Sequence, residues 1–319
     1  MDRVLSGLRP YSPGDIDALV RLLTDTCSWP PPFPPTPEDV YYRWRHWDVD
    51  PQQDVSVLPG PDSSLIAFTQ TAISRRDPRR FSMELAVDPD YHGRGIGSAL
   101  YNLVEGRARE LGAAYLTSSL YMSPGVERGP TIDFLSHRGF RRTSSYWRLQ
   151  IDNIGYQEPP QWPPGIECRV FANTEEDAAR WARLINLAFN EPATAQMVLA
   201  QASEPGSSPN GYFFAVDART GVEIGTSRAR QDMVGGIPMG YIGTVGILPE
   251  YRGRGVAKAL IRQTLHYLAG LGMSSAALFV EENNTPARAL YELTGWYPVY
   301  RVDHYWKTLS PPEPHGIVR

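Results

Sequence analysis

Cysteine is scarce in this chain, with only Cys27 and Cys168 among 319 residues. That excludes a disulfide framework as the source of stability and leaves reduced core thiols as the expectation. An excess of one charge is also missing. A net charge of −4 with no basic run excludes general attraction to nucleic acid. Long hydrophobic runs are absent too, since no apolar stretch nears the roughly 18–20 residues of a membrane-spanning helix. The opening MDRVLSGLRP has an acidic second residue and no apolar run. No signal peptide is expected, no membrane partner either, and the cytoplasm is the expected compartment. What is present is ordinary folding material: 42% apolar and 21% charged residues, in a length that suits two domains of about 150 residues each.

The chain reads as one plan written twice. YHGRGIGSAL at 91–100 returns as YRGRGVAKAL at 251–260, each with a proline two positions before the tyrosine. Arg9 precedes PYSPGDIDALVRLL, and Arg169, again 160 residues on, precedes VFANTEEDAARWARLI. HRGF at 137–140 matches LTGW at 293–296 with an offset of 156, so the first half holds four extra residues between Leu120 and Thr131. A tandem duplication is implied. Its expected parts are a first domain at 1–151, a proline-rich spacer at 152–165, a second domain at 166–310 and a tail at 311–319. A further proline cluster, WPPPFPPTP at 29–37, suits a stiff loop or a polyproline ligand.

Each half has the pattern of a mixed α/β unit. Ser12 with Asp15, and Thr174 with Asp177, are helix-start signatures in which a hydroxyl caps free amides and a carboxylate meets the positive helix end. Apolar residues follow at helical spacing: Ile16, Leu19, Val20 and Leu23, then Trp181, Leu184, Ile185 and Ala188. In the second half strands are expected at 212–216, 222–230, 239–247 and 276–282, with a helix after the glycine turn and a short one over about 286–293. The first half repeats the order with VSVL, SLIAFTQTAI, FSMELAV, the turn, a helix, AYLTSSL and WRLQI.

A strand, a glycine turn and a helix make a site for a phosphate. The first amides of a helix have no partner within it, and the positive helix end favours an anion. Small residues at Gly253, Gly255 and Ala257, and at Gly93, Gly95 and Gly97, allow close approach. A glycine triplet by itself suits a purely structural turn equally well. The Gly-Lys-Ser/Thr ending of a P-loop is missing, as are the spacing and acidic residue of a dinucleotide fold.

The second half carries two motifs in order. Arg252-x-x-Gly255-x-Ala257 follows a strand ending Val245–Gly246–Ile247, and Asn284-x-x-Ala287-x-x-x-Tyr291 precedes Gly295–Trp296. Together they resemble the GCN5-related N-acetyltransferase family, and the resemblance spans the chain as two copies. It implies two tandem α/β domains with mixed sheets that bind acetyl-CoA as co-substrate and need no metal. It further implies that backbone groups of Val245 and Ile247 pair with the pantetheine arm, with the Val245 amide near the thioester carbonyl. Gly246 belongs to the same strand end, and Arg252, Gly253, Arg254, Gly255, Val256 and Ala257 would hold the pyrophosphate. Asn284 and Ala287 would contact the arm, and Tyr291 would be the general acid for the departing thiolate.

The same resemblance gives the first half a cofactor set of Leu85, Val87, His92, Gly93, Arg94, Gly95, Ile96 and Gly97. The acid is lost there: Leu135 stands where Tyr291 is expected, and Asn284 is matched by Arg128 or Pro124, depending on the side of the insertion from which one counts. Glu84, on the strand before the turn, reads as a base acting through water or as an exposed strand carboxylate. On the acceptor side, Glu191, Arg230 and Tyr241 are candidates, each as readily a solvated or structural residue. Tyr241 replaces an acceptor-binding glutamate of a tandem relative. The expectation is an N-acyltransferase acting on a small-molecule amine by direct attack in the second half, as a monomer or homodimer. Its rivals are a non-catalytic acyl-CoA-binding module and an acetyltransferase of protein amines.

Overall fold

The computed structural model describes residues 3–26, 34–74, 77–127, 129–234 and 236–309. Cys27, Arg128, much of the first proline cluster and the tail at 311–319 lie outside the described residues. The first repeat forms β1 (Arg9–Pro10), α1 (Ile16–Asp25), α2 (Pro37–Trp47), α3 (Pro51–Asp54), β2 (Val55–Pro59), β3 (Leu65–Ile73), β4 (Arg80–Val87), α4 (Ile96–Glu110), β5 (Tyr115–Met122), α5 (Pro130–His137) and β6 (Arg141–Asp152). The second forms β7 (Ile166–Val170), α6 (Glu175–Phe189), α7 (Ala195–Ala202), β8 (Ser207–Asp217), β9 (Val222–Val234), β10 (Ile237–Ile247), α8 (Val256–Gly270), β11 (Ser275–Glu281), α9 (Thr285–Leu293) and β12 (Tyr297–Thr308). Besides the one-turn α3, three helices had no counterpart in the hydrophobic pattern: α2, α5 and α7. Two of them start on cap chemistry, since Thr36 accepts from the Asp39 amide and Thr194 from the Met197 amide.

The chain divides into two compact units, Met1–Trp147 with Val299–Arg319, and Arg148–Pro298. The boundaries thus differ from a simple cut at 151 and 166. The last strand of the second repeat belongs to the first unit, and the end of β6 belongs to the second. In the first unit the order is β1-β2-β3-β4-β5, then β12. Strand β12 runs antiparallel to β5 from Arg301↔Met122 to Thr308↔Tyr115. Side chains fix this choice. Tyr305 and Leu309 join the core of Phe81, Tyr101, Leu116 and Phe140. The Lys307 ammonium donates to the Tyr101 hydroxyl at 2.6 Å and to Glu105 at 3.1 Å. In the second unit the order is β7-β8-β9-β10-β11, with the end of β6 beside β11. There Arg148 donates to the Met239 sulfur at 2.9 Å, and the Ile154 amide to the Ser274 carbonyl at 3.1 Å. A strand pairs where its ladder and apolar face are satisfied, which chain proximity alone does not decide.

The duplication is visible in packing as well as in sequence. Arg9 grips Asp15 with two bonds of 2.7 Å, and Arg169 grips Asp177 with bonds of 2.6 and 3.0 Å. Each pair ties the first strand of its unit to the first turn of the following helix. Leu19, Leu22 and Leu23 of α1 enter the first core, while Trp181, Leu184 and Ile185 of α6 enter the second. Trp181 is fully buried, with its ring 4.9 Å from Tyr212 and 5.1 Å from Phe214. Truncating such a side chain costs about 3–5 kcal/mol.

Candidate active site

In the second unit the site begins where two parallel strands part. Strands β10 and β11 pair only at Gly240↔Ala276 and Tyr241↔Ala277. Beyond Tyr241, β10 runs on beside β9 alone. Its register against β9 shifts between Gly243 and Gly246, so Thr244 and Val245 face a single residue. This is a β-bulge, and Thr244 sits in it at φ +58°, a region that a β-branched residue seldom enters. Past the bulge, the Leu248 amide donates to the Ile224 carbonyl of β9 at 2.9 Å. Alternate residues of a strand send their polar groups to the same edge. The Gly246 amide therefore faces β9, while those of Val245 and Ile247 face the open edge.

The glycine turn follows at once. Gly253 and Gly255 adopt φ +74° and +84°, and Gly93 and Gly95 adopt +74° and +81°. A Cβ on Gly253, Gly93 or Gly95 would meet nothing within 4 Å, so conformation rather than space demands glycine there. Gly255 is the N-cap of α8 and no side chain caps that end. The first-turn amides of Val256, Ala257 and Lys258 therefore point out of the helix mouth. Val256 and Ile96 are buried, so only their backbone can serve a ligand. Arg254 and Arg94 are exposed, their guanidinium groups 5.1 Å over Tyr251 and 4.7 Å over Tyr91.

Arg252 and His92 brace the turn. Arg252 donates from Nε to the Ile247 carbonyl and from Nη2 to the Ala188 carbonyl, both at 3.0 Å. His92 Nε2 lies 2.8 Å from the Val87 carbonyl, at the same point of the first unit. The histidine is thus a structural substitute for the arginine.

Tyr291 is 7% exposed on α9, its ring 5.8 Å from Trp296. Gly295, at φ +88°, turns the chain so that Trp296 folds back, and the Trp296 amide donates to the Tyr291 carbonyl at 3.1 Å. Burial, and to a lesser degree Tyr241, pushes the Tyr291 hydroxyl up to about 12. The phenol is therefore neutral at ordinary pH and available as a donor. Asn284 caps α9, with Oδ1 accepting from the Ala287 amide at 3.2 Å.

Tyr241 lies within the same neighbourhood. The Arg230 guanidinium stands 4.9 Å over its ring, and Phe279 of β11 is 6.4 Å away. Burial raises the Tyr241 hydroxyl above its usual range, with the Arg228 charge opposing. Glu191 stands exposed in the loop after α6 and makes no ion pair or hydrogen bond among the described residues. Sequence reasoning missed Arg228, Phe279 and the bulge at Thr244. The alternation Arg228–Ala–Arg230 was a usable signal, because it puts two cations on one strand face.

The first unit keeps the splay and the cradle but not the rest. Strands β4 and β5 pair at Arg80↔Tyr115, Phe81↔Leu116 and Ser82↔Thr117, then part. Strand β4 runs against β3 without a shift from Ile73↔Phe81 to Ala67↔Val87, so no bulge forms. The Asp88 amide donates to the Ile66 carbonyl at 2.8 Å, which leaves the amides of Leu85 and Val87 on the open edge. Leu135 is 2% exposed, a core residue. Above Gly97, the Phe134 ring lies 3.6 Å from where a Cβ would be. The Arg138 guanidinium stacks 3.5 Å from the centre of that ring and donates to Ser98 Oγ at 2.6 Å. This stack packs against the first turn of α4 at Gly97 and Ser98. Glu84 is not an exposed strand carboxylate: it is half-buried and ion-paired with Arg43 of α2. Burial raises its carboxyl, with Arg43 opposing.

The acetyltransferase (GNAT) family pattern matches residues 17–129 and 178–296, one span in each repeat. Among curated proteins, the mycothiol acetyltransferase of Streptomyces griseus is 30% identical over 263 residues, covering 78% of each chain. That of Frankia alni is 27% identical over 316 residues, covering 88% of this chain and 87% of the relative. Among solved structures, a GCN5-related N-acetyltransferase from Sphaerobacter thermophilus superposes with a TM-score of 0.78 at 25% identity, covering 95% of this chain and 96% of the other. A tandem GNAT protein from the clavulanic acid biosynthesis pathway gives 0.71 at 17% identity over 96% and 99% of the two chains, a likeness of fold. The two cradles, the paired motifs and these matches agree: the chain belongs to the acetyltransferase (GNAT) family, as an N-acetyltransferase with two tandem GNAT regions.

Proposed function

We propose that the second unit transfers an acetyl group from acetyl-CoA to the primary amine of a small molecule, by direct attack on the thioester. The observation that carries this reading is the coincidence, within one unit, of an uncapped helix mouth, a bulged and splayed strand, and a buried neutral phenol. The amides at the mouth of α8 suit a pyrophosphate, and two left-handed glycines let it approach. The open edge at Val245 and Ile247 suits the pantetheine arm as an added strand. The Val245 amide then stabilises the oxyanion that forms on the thioester carbonyl.

The amine nitrogen forms the new bond to the carbonyl carbon as the carbon–sulfur bond breaks, and its surplus proton leaves to water. Tyr291 serves the sulfur. An ordinary thiol titrates near 8.5, so a phenol pushed up to about 12 by burial is the weaker acid. Complete transfer in the resting site is uphill. The phenol therefore contributes mainly a hydrogen bond that strengthens as charge builds on sulfur. In the first unit the missing bulge, Leu135 and the Phe134–Arg138 stack fit a structural copy rather than a second catalytic centre.

Thiol release from acetyl-CoA across a panel of small primary amines tests the reading. At least one amine is expected to give turnover that Tyr291→Phe lowers while acetyl-CoA binding stays within about threefold. No turnover with any amine, or full turnover by the variant, contradicts it.

A further inference from the structure

One face of the second sheet is lined with arginine. Ser227 on β9 bonds to Thr264 of α8 at 2.8 Å, and a Cβ on Gly240 of β10 would strike Leu268 of α8. Alternate residues therefore point the other way, which places Arg228 and Arg230 of β9 on the face opposite α8. Their register partners on β10 are Gly243 and Tyr241. Phe279 lies on that face too, two residues past the pair Tyr241↔Ala277. Arg148 reaches it from the end of β6 through its bond to Met239.

Arg228 is the telling residue. Its Nη1 contacts the Tyr212 hydroxyl at 3.4 Å, a long bond to a neutral group. Its Nε is shut off from solvent and has no hydrogen-bond partner among the described residues. It forms no salt bridge there either, whereas Arg230 pairs with Asp232 at 3.0 Å. The side chain lies across β10 only because residue 243 is glycine: a Cβ there would come within 2.8 Å of Arg228 Nε. The residue as a whole is half-buried, but a guanidinium N–H shut off from water without a partner is costly, and native proteins seldom leave one so. Arg148, Arg228 and Arg230 all act on Tyr241, as does Asp232.

The position matters as much as the charge. Gly243 is two residues before Val245, so the arginine face begins roughly 6–7 Å along the strand from the amide assigned to the thioester carbonyl. An anion held there belongs to the molecule that brings the amine, with a few bonds between the two groups. We propose that Arg228, supported by Arg230, binds a carboxylate or phosphate of the acceptor, making the acceptor an amino acid or an amino phosphate rather than a plain amine. This rests on the reading of the second unit as the catalytic one.

The test sets anionic amines against partners that lack the anion, on the full chain. β-Alanine is set against β-alaninamide, and O-phosphoethanolamine against ethanolamine. Each is measured by thiol release with acetyl-CoA and by calorimetric titration without it. An anionic member is expected to exceed its neutral twin by about tenfold or more in kcat/KM and in affinity, as suits a charge-assisted pair. The favoured pair tells carboxylate from phosphate. Arg228→Gln should shrink that ratio to near unity, Arg228→Lys should restore part of it, and Gly243→Ala should lower it by displacing an intact arginine. Equal twins in both measurements, no binding by any of the four, or an unchanged ratio in Arg228→Gln each overturns the proposal. Turnover of both twins without preference overturns the anion site alone. Preferential binding without thiol release from any amine overturns the catalytic reading and leaves the anion site.

Discussion

Strands β4 and β10 occupy the same place before the same glycine turn, and they treat one residue differently. At the level of Gly243 in the second unit the first unit has Glu84, and opposite them stand Arg228 and Gln70. In the first unit Glu84 draws Arg43 down from α2, and the Trp44 indole donates to Gln70 at 2.7 Å. Between them and Leu19, Leu23, Val40 and Phe68 only a small cleft is left. In the second unit the absent side chain at Gly243 leaves Arg228 extended across the strand, and the bulge that follows turns Val245 to the open edge. On the proposed reading, the comparison separates what would hold a cofactor from what would perform a reaction. Two left-handed glycines and an uncapped helix recur in both units. The bulge, the buried phenol and the open face proposed to serve the reaction stand together in the second unit.

The largest expected effect breaks the comparison at its acid. Tyr291→Phe should lower kcat on the acceptor by about 10- to 100-fold, as suits the loss of a hydrogen bond to charge developing on sulfur. Leu135→Tyr in the first unit should add nothing to turnover, because that position is packed into the core. The pH profile carries the same distinction. A phenol raised to about 12 keeps its proton at all lower pH, so the wild type should show no alkaline fall due to Tyr291 below about pH 10. The linked stability follows the same sign. It is fully present below the ordinary phenol value near 10 and is lost as pH rises towards 12.

A smaller effect should come from the first unit. Glu84→Gln removes the negative charge that Arg43 meets and should cost about 1–2 kcal/mol of stability in a denaturant titration. Turnover should change by less than about twofold. A tenfold loss of kcat in a variant that remains folded would instead give the first unit a share in the chemistry. The smallest effect is expected at the bulge. Thr244→Gly relieves a left-handed β-branched residue and should leave stability within about 1 kcal/mol of wild type. It should raise KM for acetyl-CoA a few-fold by loosening the Val245 edge. An unchanged KM would show that the bulge is not what aims that edge.

Much of this contrast was legible in the sequence, and particular residues show why. Gly93, Gly95, Gly253 and Gly255 announce themselves because only glycine rests easily at a positive φ, so the cradles could be read by eye. Tyr291 and Leu135 could be set opposite one another because Gly295 and Gly139, both at positive φ, anchor the count from the far side. The exchange of β12 was not legible, since Tyr305, Lys307 and Leu309 fit either repeat as a periodic strand. Only the partners Tyr101 and Glu105 show which one receives them. The role of Arg252 was also hidden. A cation beside a phosphate turn invites the ligand as its partner, yet two of its five donors go to the Ile247 and Ala188 carbonyls. Helix α5 explains the remaining gap, because Phe134 over Gly97 depends on a helix that the hydrophobic pattern did not reveal.

The central claim is that two like cradles differ in having a reaction attached, and a matched pair of glycine variants tests it most directly. Gly95→Val and Gly255→Val impose the same strain, a β-branched residue at φ +81° and +84° respectively, on the same turn of each unit. Acetyl-CoA-dependent thiol release by the two, on one acceptor and in protein shown to be folded, is the measurement. The account predicts that Gly255→Val loses turnover by 100-fold or more while Gly95→Val keeps at least about half. Equal loss in both, or a greater loss in Gly95→Val, would contradict it.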